Sequence, residues 1–268
     1  MPAAIPPRDK VAPSAAPAVR GLARGLEVLR AFRPGSALLG NGDIAERTGL
    51  SKSTVSRLTQ TLVHAGMLQF DVRSGAYRLA PAVLSFAHAM RTGSRVLEIA
   101  APAMRALAEA RRINVGLAAA DRDEMVYLES VRYSRRVALR TVVSGQRVPM
   151  ELTSLGRAYL STLDEDHRRA LFAHFMQRRG TQWRRLRADI EAALQDVARR
   201  GYCAAAWQPE VVALAAPLQA TDGTYVLNVS ISTEQAFGPA VEQLAEPLLT
   251  LRAQLQAALD ADAEPGPG

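Results

Sequence analysis

The sequence predicts an α+β protein of two domains, and three observations support this fold class. A helix, a glycine turn and a second helix occupy residues 43–60 and precede two short alternating runs that predict a hairpin. Farther along, runs rich in β-forming residues are enclosed by amphipathic helical segments. The chain has 268 residues, which is long enough for two separate cores.

The second helix of the pair, residues 51–60, has two faces of opposite character. At about 100° per residue, Val55, Leu58 and Leu62 fall on one apolar stripe that can pack against a core. The opposite side is polar and carries Ser53, Arg57 and Gln60, with Ser56 at its flank. This second face is expected to meet a partner.

Local signals define the ends of both helices. The first helix turns Ile44 and Ala45 inward, and Gly49 supplies a turn with positive φ. Ser51 is the expected N-cap of the second helix, because its hydroxyl can accept a hydrogen bond from a first-turn N–H. Thr54 stands where a capping box would carry glutamate, so the cap is incomplete by this criterion.

The positive charge of the chain is concentrated beside this helix. Residues 1–80 contain 11 Lys and Arg against 5 Asp and Glu, whereas the remaining residues contain 22 against 21. This distribution indicates a local phosphate-binding surface. Arg57 can reach a guanine edge or a phosphate from a major groove, and Lys52 and Arg73 are better placed for phosphates. Solvated surface arginines are the simpler alternative for each position.

Five segments match one known pattern in order and spacing. They are VRGLARGLEVL at 19–29, IAERTGLSKSTVSRL at 44–58, GAYRL at 75–79, PMELTSLGRAYL at 149–160 and AAPL at 215–218. Across residues 19–255 the sequence therefore resembles the IclR family of bacterial transcription regulators.

The resemblance implies an architecture and a function. It implies an N-terminal winged helix-turn-helix, a connecting helix and a GAF-like effector-binding domain with an antiparallel sheet of six strands. The implied function is a repressor of a catabolic operon that binds a quasi-palindromic double-stranded DNA operator and responds to a small effector. A homodimer or a dimer of dimers is expected. The candidate DNA-binding residues are Lys52, Ser53, Thr54, Ser56, Arg57, Gln60 and Arg73.

The expected domain boundaries follow from the same patterns. They are a disordered tail at 1–18, the DNA-binding domain at 19–80, the connecting helix at 81–95, the effector-binding domain at 96–260 and a frayed tail at 261–268. In the second domain we expect strands at 115–120, 125–131, 137–143, 211–218 and 225–232. Pro102 is expected to bend or restart the helix at 96–110.

The candidate effector pocket combines apolar and hydroxyl side chains. Ser230 and Ser232 alternate with Val229 and Ile231, so both hydroxyls point to one side of a strand. By resemblance the pocket residues are Met150, Leu152, Ser154, Leu155, Gly156, Ala213, Leu214, Ser230 and Ser232. Because none of them is charged, the expected effector is a small aromatic or short-chain organic acid held by hydroxyls and backbone N–H groups.

One segment of the second domain limits what the resemblance implies about the effector. Residues 203–210 depart from the family, which often carries an acidic residue near the start of this segment and glycine at the position of Glu210.

Few residues are candidates for catalysis or metal binding. His167 and His174 are seven residues apart, which exceeds the usual spacing of paired metal ligands, and no histidine lies near Cys203. No catalysis, metal site or cofactor is expected.

The amino-acid composition indicates the cellular compartment of the protein. The single cysteine indicates a reducing environment such as the cytoplasm, and no apolar run reaches the length of a membrane span. A two-domain α+β enzyme and a winged-helix protein-interaction adaptor remain the alternatives to a regulator. An enzyme would turn over a substrate without DNA affinity, and an adaptor would not bind a duplex even at low salt.

Overall fold

The computed structural model describes residues 19–133 and 143–263, which form two compact units divided between Ser94 and Arg95. The first unit is a helix-turn-helix with a hairpin, and the second is an α+β domain, so the predicted fold class is confirmed. The tail expected at 1–18 and most of the strand expected at 137–143 lie outside the described residues.

The N-terminal unit contains four helices and one hairpin. In order they are α1 (Arg20–Arg30), α2 (Asn41–Thr48), α3 (Lys52–His64), β1 (Leu68–Asp71), β2 (Ala76–Leu79) and α4 (Ala82–Thr92). The first three helices and the hairpin share one apolar core, which includes Val28, Ile44, Val55 and Leu68. The backbones of Leu39 and Tyr77 exchange hydrogen bonds of 3.0 and 2.9 Å, which attach the hairpin to the segment before α2.

The C-terminal unit surrounds a six-stranded antiparallel sheet. Its elements are α5 (Arg95–Arg111), β3 (Asn114–Asp121), β4 (Glu124–Val131), β5 (Arg147–Pro149), α6 (Ser154–Leu160), α7 (Glu165–Arg179), a 3₁₀ turn (Gly180–Gln182), α8 (Trp183–Arg200), β6 (Cys203–Ala205), β7 (Val211–Ala220), β8 (Gly223–Ser232) and α9 (Phe237–Ala263). The strand order is β5-β4-β3-β8-β7-β6. Every neighbouring pair is antiparallel.

The two faces of this sheet carry different layers. Odd-numbered side chains of β8, such as Leu227 and Val229, pack with α5 and α9 in one core. Val226 points to the other side and packs with α6, α7 and α8 in a second core that includes Phe175 and Ile190. The alternation of side chains along each strand therefore separates the two cores.

Three details differ from the sequence-based expectations. The helix α5 continues through Pro102 without restarting, because residues on both sides of the proline, including Val96 and Met104, are packed into the core. The strands β5 and β6 were not predicted, since three residues are too few to show a period. The last helix continues to Ala263, beyond the expected boundary at residue 260.

Candidate functional site

The exposed face of α3 carries polar and charged side chains that point away from the core of the N-terminal unit. Ser53, Arg57 and Gln60 are exposed, as is Lys52 at the start of the helix. Among the described residues, no side-chain hydrogen bond or ion pair reaches Lys52 or Arg57. Both cations therefore point to solvent from a helix whose opposite side, at Val55 and Thr59, is fully buried.

The two other predicted contact residues of α3, Thr54 and Ser56, are half-buried, and their backbone groups form local hydrogen bonds. The Ser51 hydroxyl accepts a hydrogen bond from the backbone N–H of Thr54 at 3.3 Å and lies 2.9 Å from the Thr54 hydroxyl, so the predicted N-cap is present. Ser56 is half-buried, and its carbonyl accepts from the Thr59 hydroxyl at 3.1 Å. Gly49 has a φ of 69°, which gives the expected left-handed turn between α2 and α3.

The hairpin places one further cation on the same unit. Asp71 Oδ1 accepts from the backbone N–H of Arg73 at 3.0 Å, and this bond, together with Ser74, holds the pKa of Asp71 below its usual value. Arg78 Nε donates to Gln69 Oε1 at 3.1 Å across the two strands. The turn is thus fixed by its own side chains, while the exposed Arg73 side chain has no partner among the described residues.

A cavity of about 130 Å³ lies in the C-terminal unit, on the sheet face that α6 covers. Four of the predicted effector residues line it: Ser154, Leu155, Ala213 and Ser230. They come from the start of α6 and from the neighbouring strands β7 and β8. The structure therefore brings together predicted residues that are distant in the sequence.

The other five predicted effector residues do not line this cavity. Leu214 follows Ala213 on β7, so its side chain points to the opposite face and lies in the core with α5 and α9. A Cβ at Gly156 would overlap the backbone of Met150, so this glycine allows close packing at the start of α6. Met150 is fully buried, and Leu152 and Ser232 are half-buried outside the lining.

The remaining ten lining residues, which include two arginines, were not among the predicted effector residues. These residues are Tyr127, Arg132, Gln146, Arg147, Val148, Thr153, Trp207, Gln208, Val211 and Asn228. Trp207 and Gln208 belong to the segment that departs from the family pattern. Asn228 lies two residues before Ser230, so strand alternation alone would have placed it on the same face.

The two arginines differ in how their charge is balanced. Arg147 lies 2.7 Å from Glu124 and 2.6 Å from Asp121, so two carboxylates neutralise it. Arg132 donates from Nε to the Ser130 hydroxyl at 2.7 Å, and its guanidinium lies 5.4 Å from the centroid of the Tyr127 ring. No carboxylate pairs with Arg132 among the described residues, so it gives the cavity a positive charge.

Asn228 is an unusual member of the lining. It is 3% exposed, and its Oδ1 is buried without a hydrogen-bond partner in the described part of the chain. Asn228 pairs across the sheet with Gly116, where a Cβ would overlap both Oδ1 and the Tyr127 ring. Glycine at this position therefore makes room for the amide. Burying an unpaired amide costs free energy, so its position calls for an explanation.

A buried carboxylate fixes the turn that borders the cavity. Glu151 is fully buried, and Arg178 Nη2 donates to its two oxygens at 2.9 and 3.0 Å, while Arg179 Nε donates at 2.8 Å. Arg178 Nη1 also donates to Asp123 Oδ2 at 2.6 Å. Burial opposes ionisation of Asp123, but the Arg178 guanidinium holds the pKa of that carboxyl below its usual value.

The residues considered for catalysis have ordinary surroundings. His167 is exposed and lies 2.6 Å from Asp164, and His174 lies 3.3 Å from Asp123. Burial raises the pKa of Cys203 to about 12, so the thiol remains protonated and is a poor nucleophile. Within residues 19–133 and 143–263, no cluster of three or more potential metal ligands occurs, and no helix is both long and apolar enough to cross a membrane.

Two family models match this chain in sequence order. The IclR helix-turn-helix domain matches residues 21–72, and the bacterial transcriptional regulator IclR C-terminal domain matches residues 88–256. The chain belongs to the IclR family. It is therefore a transcription regulator with a DNA-binding domain, and its homologues in the IclR family are regulators rather than enzymes.

Individual IclR relatives agree with this assignment. The chain is 36% identical over 197 residues to the HTH-type transcriptional regulator TsaQ1/TsaQ2 of Comamonas testosteroni, covering 72% of this chain and 70% of that protein. An IclR family transcriptional regulator from Brucella abortus superposes with a TM-score of 0.80 at 36% identity, covering 90% and 92% of the two chains. An IclR homolog from Microbacterium hydrocarbonoxydans complexed with 4-hydroxybenzoate gives 0.65 at 25% identity, covering 88% and 99%.

Replacing the buried carboxylate tests its role in this IclR domain. Glu151→Ala leaves Arg178 and Arg179 without their shared acceptor, so we expect the free energy of unfolding to fall by about 3 kcal/mol in urea denaturation. The control is Glu165→Ala, because Glu165 also pairs with an arginine, Arg169 at 2.7 Å, but is exposed. We expect that control to change stability by less than about 1 kcal/mol. Equal losses in the two variants would contradict a structural role for the buried carboxylate.

Proposed function

We propose that this protein represses a catabolic operon by binding a quasi-palindromic operator, and that a small organic acid in the C-terminal cavity controls this binding. The observation that carries the DNA role is the exposed face of α3, where Arg57 and Lys52 have no side-chain partner in the described part of the chain, while the opposite face is packed. A helix with this arrangement can enter a major groove without losing any internal contact. Arg73 on the hairpin is suited to an adjacent phosphate.

Two apolar surfaces of the N-terminal unit support pairing with a second copy. Leu22 and Leu26 are four residues apart on α1 and are 64% and 50% exposed. On α4, Phe86 and Met90, again four residues apart, are also exposed, and Leu84 is exposed on a different side of that helix. Clusters of large apolar side chains are costly to leave in water, and a symmetric dimer would cover them. We therefore propose a homodimer, or a dimer of dimers on DNA.

The cavity supports an organic acid as the effector. Its volume of about 130 Å³ is close to that of an engineered cavity of about 150 Å³ that holds benzene, so one ring or a short chain fills it. The Arg132 guanidinium, which pairs with no carboxylate in the part of the chain that the structure describes, supplies a partner for a carboxylate. The 4-hydroxybenzoate complex of the Microbacterium relative agrees with an acid of this size.

A footprint on the DNA beside the gene for this protein tests the function as a whole. We expect protection of a quasi-palindromic site, and we expect benzoate or a hydroxylated benzoate to alter the protection. A reporter placed behind that site should be silenced by the protein and released by the acid. Absence of protection even at low salt would contradict the DNA-binding function, and stimulation of the reporter would contradict repression.

Two arginine variants should weaken DNA binding in different ways. Arg57→Ala removes a base-edge or phosphate donor from α3, so affinity for the specific operator should fall by about 1–3 kcal/mol without loss of folding. Arg73→Ala removes a phosphate contact, so affinity should fall equally on all sequences and the salt slope should become shallower by about one unit. Fluorescence anisotropy on specific and random duplexes measures both effects. Unchanged operator affinity in Arg57→Ala would overturn the role assigned to α3.

The apolar surface of α1 gives a test of pairing. We expect the wild-type protein to sediment as a dimer or larger at micromolar concentration, and the double variant Leu22→Glu, Leu26→Glu to dissociate to monomers, because it places charges in the proposed interface. Val72→Glu is the matched control, since Val72 is 84% exposed at the tip of the hairpin, away from α1 in sequence. A monomeric wild type, or a double variant that pairs as tightly as the control, would contradict the proposed interface.

A further inference from the structure

The effector cavity contains one polar group whose presence the protein alone does not explain. Asn228 Oδ1 is buried beside Gly116 and the Tyr127 ring, and no described residue donates a hydrogen bond to it. The other buried asparagine on this part of the sheet is satisfied. Asn114 is also 3% exposed, but its Oδ1 accepts from the backbone N–H of Tyr133 at 3.1 Å and its Nδ2 lies 3.5 Å from the Ser230 hydroxyl.

The surroundings of Asn228 indicate that the amide serves a ligand. Its backbone is held in the middle of the sheet by pairing with β3 and β7, opposite Gly116 and Ala215. Residue 116 has no side chain, and the Asn228 amide occupies the space that a Cβ there would need. A half turn exchanges the positions of Oδ1 and Nδ2, so the same residue can present an acceptor or a donor to the cavity.

We propose that Asn228 determines effector specificity by hydrogen bonding to a hydroxyl group, so that the effector is a hydroxylated carboxylic acid rather than a simple acid. This inference rests on the proposed function, because it assumes that the cavity binds the effector. Arg132 holds the carboxylate, and the amide of Asn228 reads the second polar group of the same molecule.

A hydroxyl fits the amide better than other polar groups. A hydroxyl both donates and accepts, so it pairs with the amide in either orientation, whereas an ammonium only donates and an ether or ketone only accepts. A second carboxylate would compete for Arg132, which is the one lining cation without a carboxylate partner among the described residues. The cavity volume of about 130 Å³ restricts the body of the acid to one ring or a short chain.

Matched pairs of acids test this proposal on the full-length protein. The probes are 2-, 3- and 4-hydroxybenzoate, each compared with the fluorobenzoate substituted at the same position, and lactate compared with propionate. Fluorine and hydroxyl are similar in size, but fluorine does not donate a hydrogen bond. By calorimetry we expect at least one hydroxylated acid to bind about tenfold or more tightly than its partner, because the partner leaves the amide unpaired.

Two variants connect this preference to specific residues. Asn228→Leu should abolish the preference for the hydroxylated acid, whereas Arg132→Gln should weaken both members of a pair by a similar factor and leave their ratio unchanged. If the leucine variant does not fold, Asn228→Ala repeats the comparison without adding volume beside Gly116. A preference that survives removal of the Asn228 amide would overturn the assignment.

A second measurement requires no ligand. Because no described residue donates a hydrogen bond to Asn228 Oδ1, Asn228→Leu or Asn228→Ala should leave the Tm unchanged or raise it, relative to the same substitution at Asn114, which removes satisfied hydrogen bonds and should lower the Tm. Equal losses at the two positions would show that the Asn228 amide is a structural group, and would overturn the proposal.

The outcomes also separate this inference from the proposed function. Equal binding of hydroxylated and fluorinated acids would overturn the role of Asn228 and leave an organic-acid effector in place. Failure of every acid to bind at millimolar concentration would overturn both the effector class and the inference. Neither result would affect operator binding, which the footprint measures independently.

Discussion

Pairing of β3 with β8 at the centre of the six-stranded sheet is the constraint on which the C-terminal unit depends. It sets Asn114 opposite Ser230 and Gly116 opposite Asn228, while Val115 and Leu117 point to the other face. One register thus builds an apolar core on one side and a polar cavity floor on the other. A slip of one residue would exchange the two faces and bury the polar side chains under α5 and α9. The strand register therefore places Asn228 and Ser230 in the cavity floor, while residues outside the strands, such as Arg132 and Trp207, complete its lining.

Much of the N-terminal unit could be predicted from the sequence because its signals are local. The periodicity of α3, the cap at Ser51 and the left-handed turn at Gly49 each depend on residues within a few positions of one another. The C-terminal strands β7 and β8 were predicted for the same reason. What could not be predicted depends on distant partners: α5 continues through Pro102 because its packed face holds it, and β5 is a strand only because β4 pairs with it.

The candidate cavity shows the same division between local and distant information. The residues that carry the family resemblance located the start of α6 and the strands β7 and β8, but including both Ala213 and Leu214 ignored the alternation that sends neighbours to opposite faces. Arg132 was missed because it is not distinctive in sequence, and Asn228 was missed although strand alternation places it on the same face as Ser230. Their character depends on what surrounds them: an arginine without a carboxylate partner among the described residues, and an amide oxygen without a donor.

The costs of the cavity explain how a ligand can act on this domain. Burying an amide oxygen without a hydrogen-bond donor costs about 1–3 kcal/mol. A ligand that hydrogen bonds to the amide recovers this free energy only when the domain is folded around it. Its binding therefore stabilises the folded, ligand-bound conformation by mass action. The Glu151 carboxylate, bound by Arg178 and Arg179, holds the adjacent turn in place in the absence of ligand. Rigid support on one side of the cavity and an amide oxygen without a donor among the described residues on the other fit the proposed exchange of stability for ligand recognition.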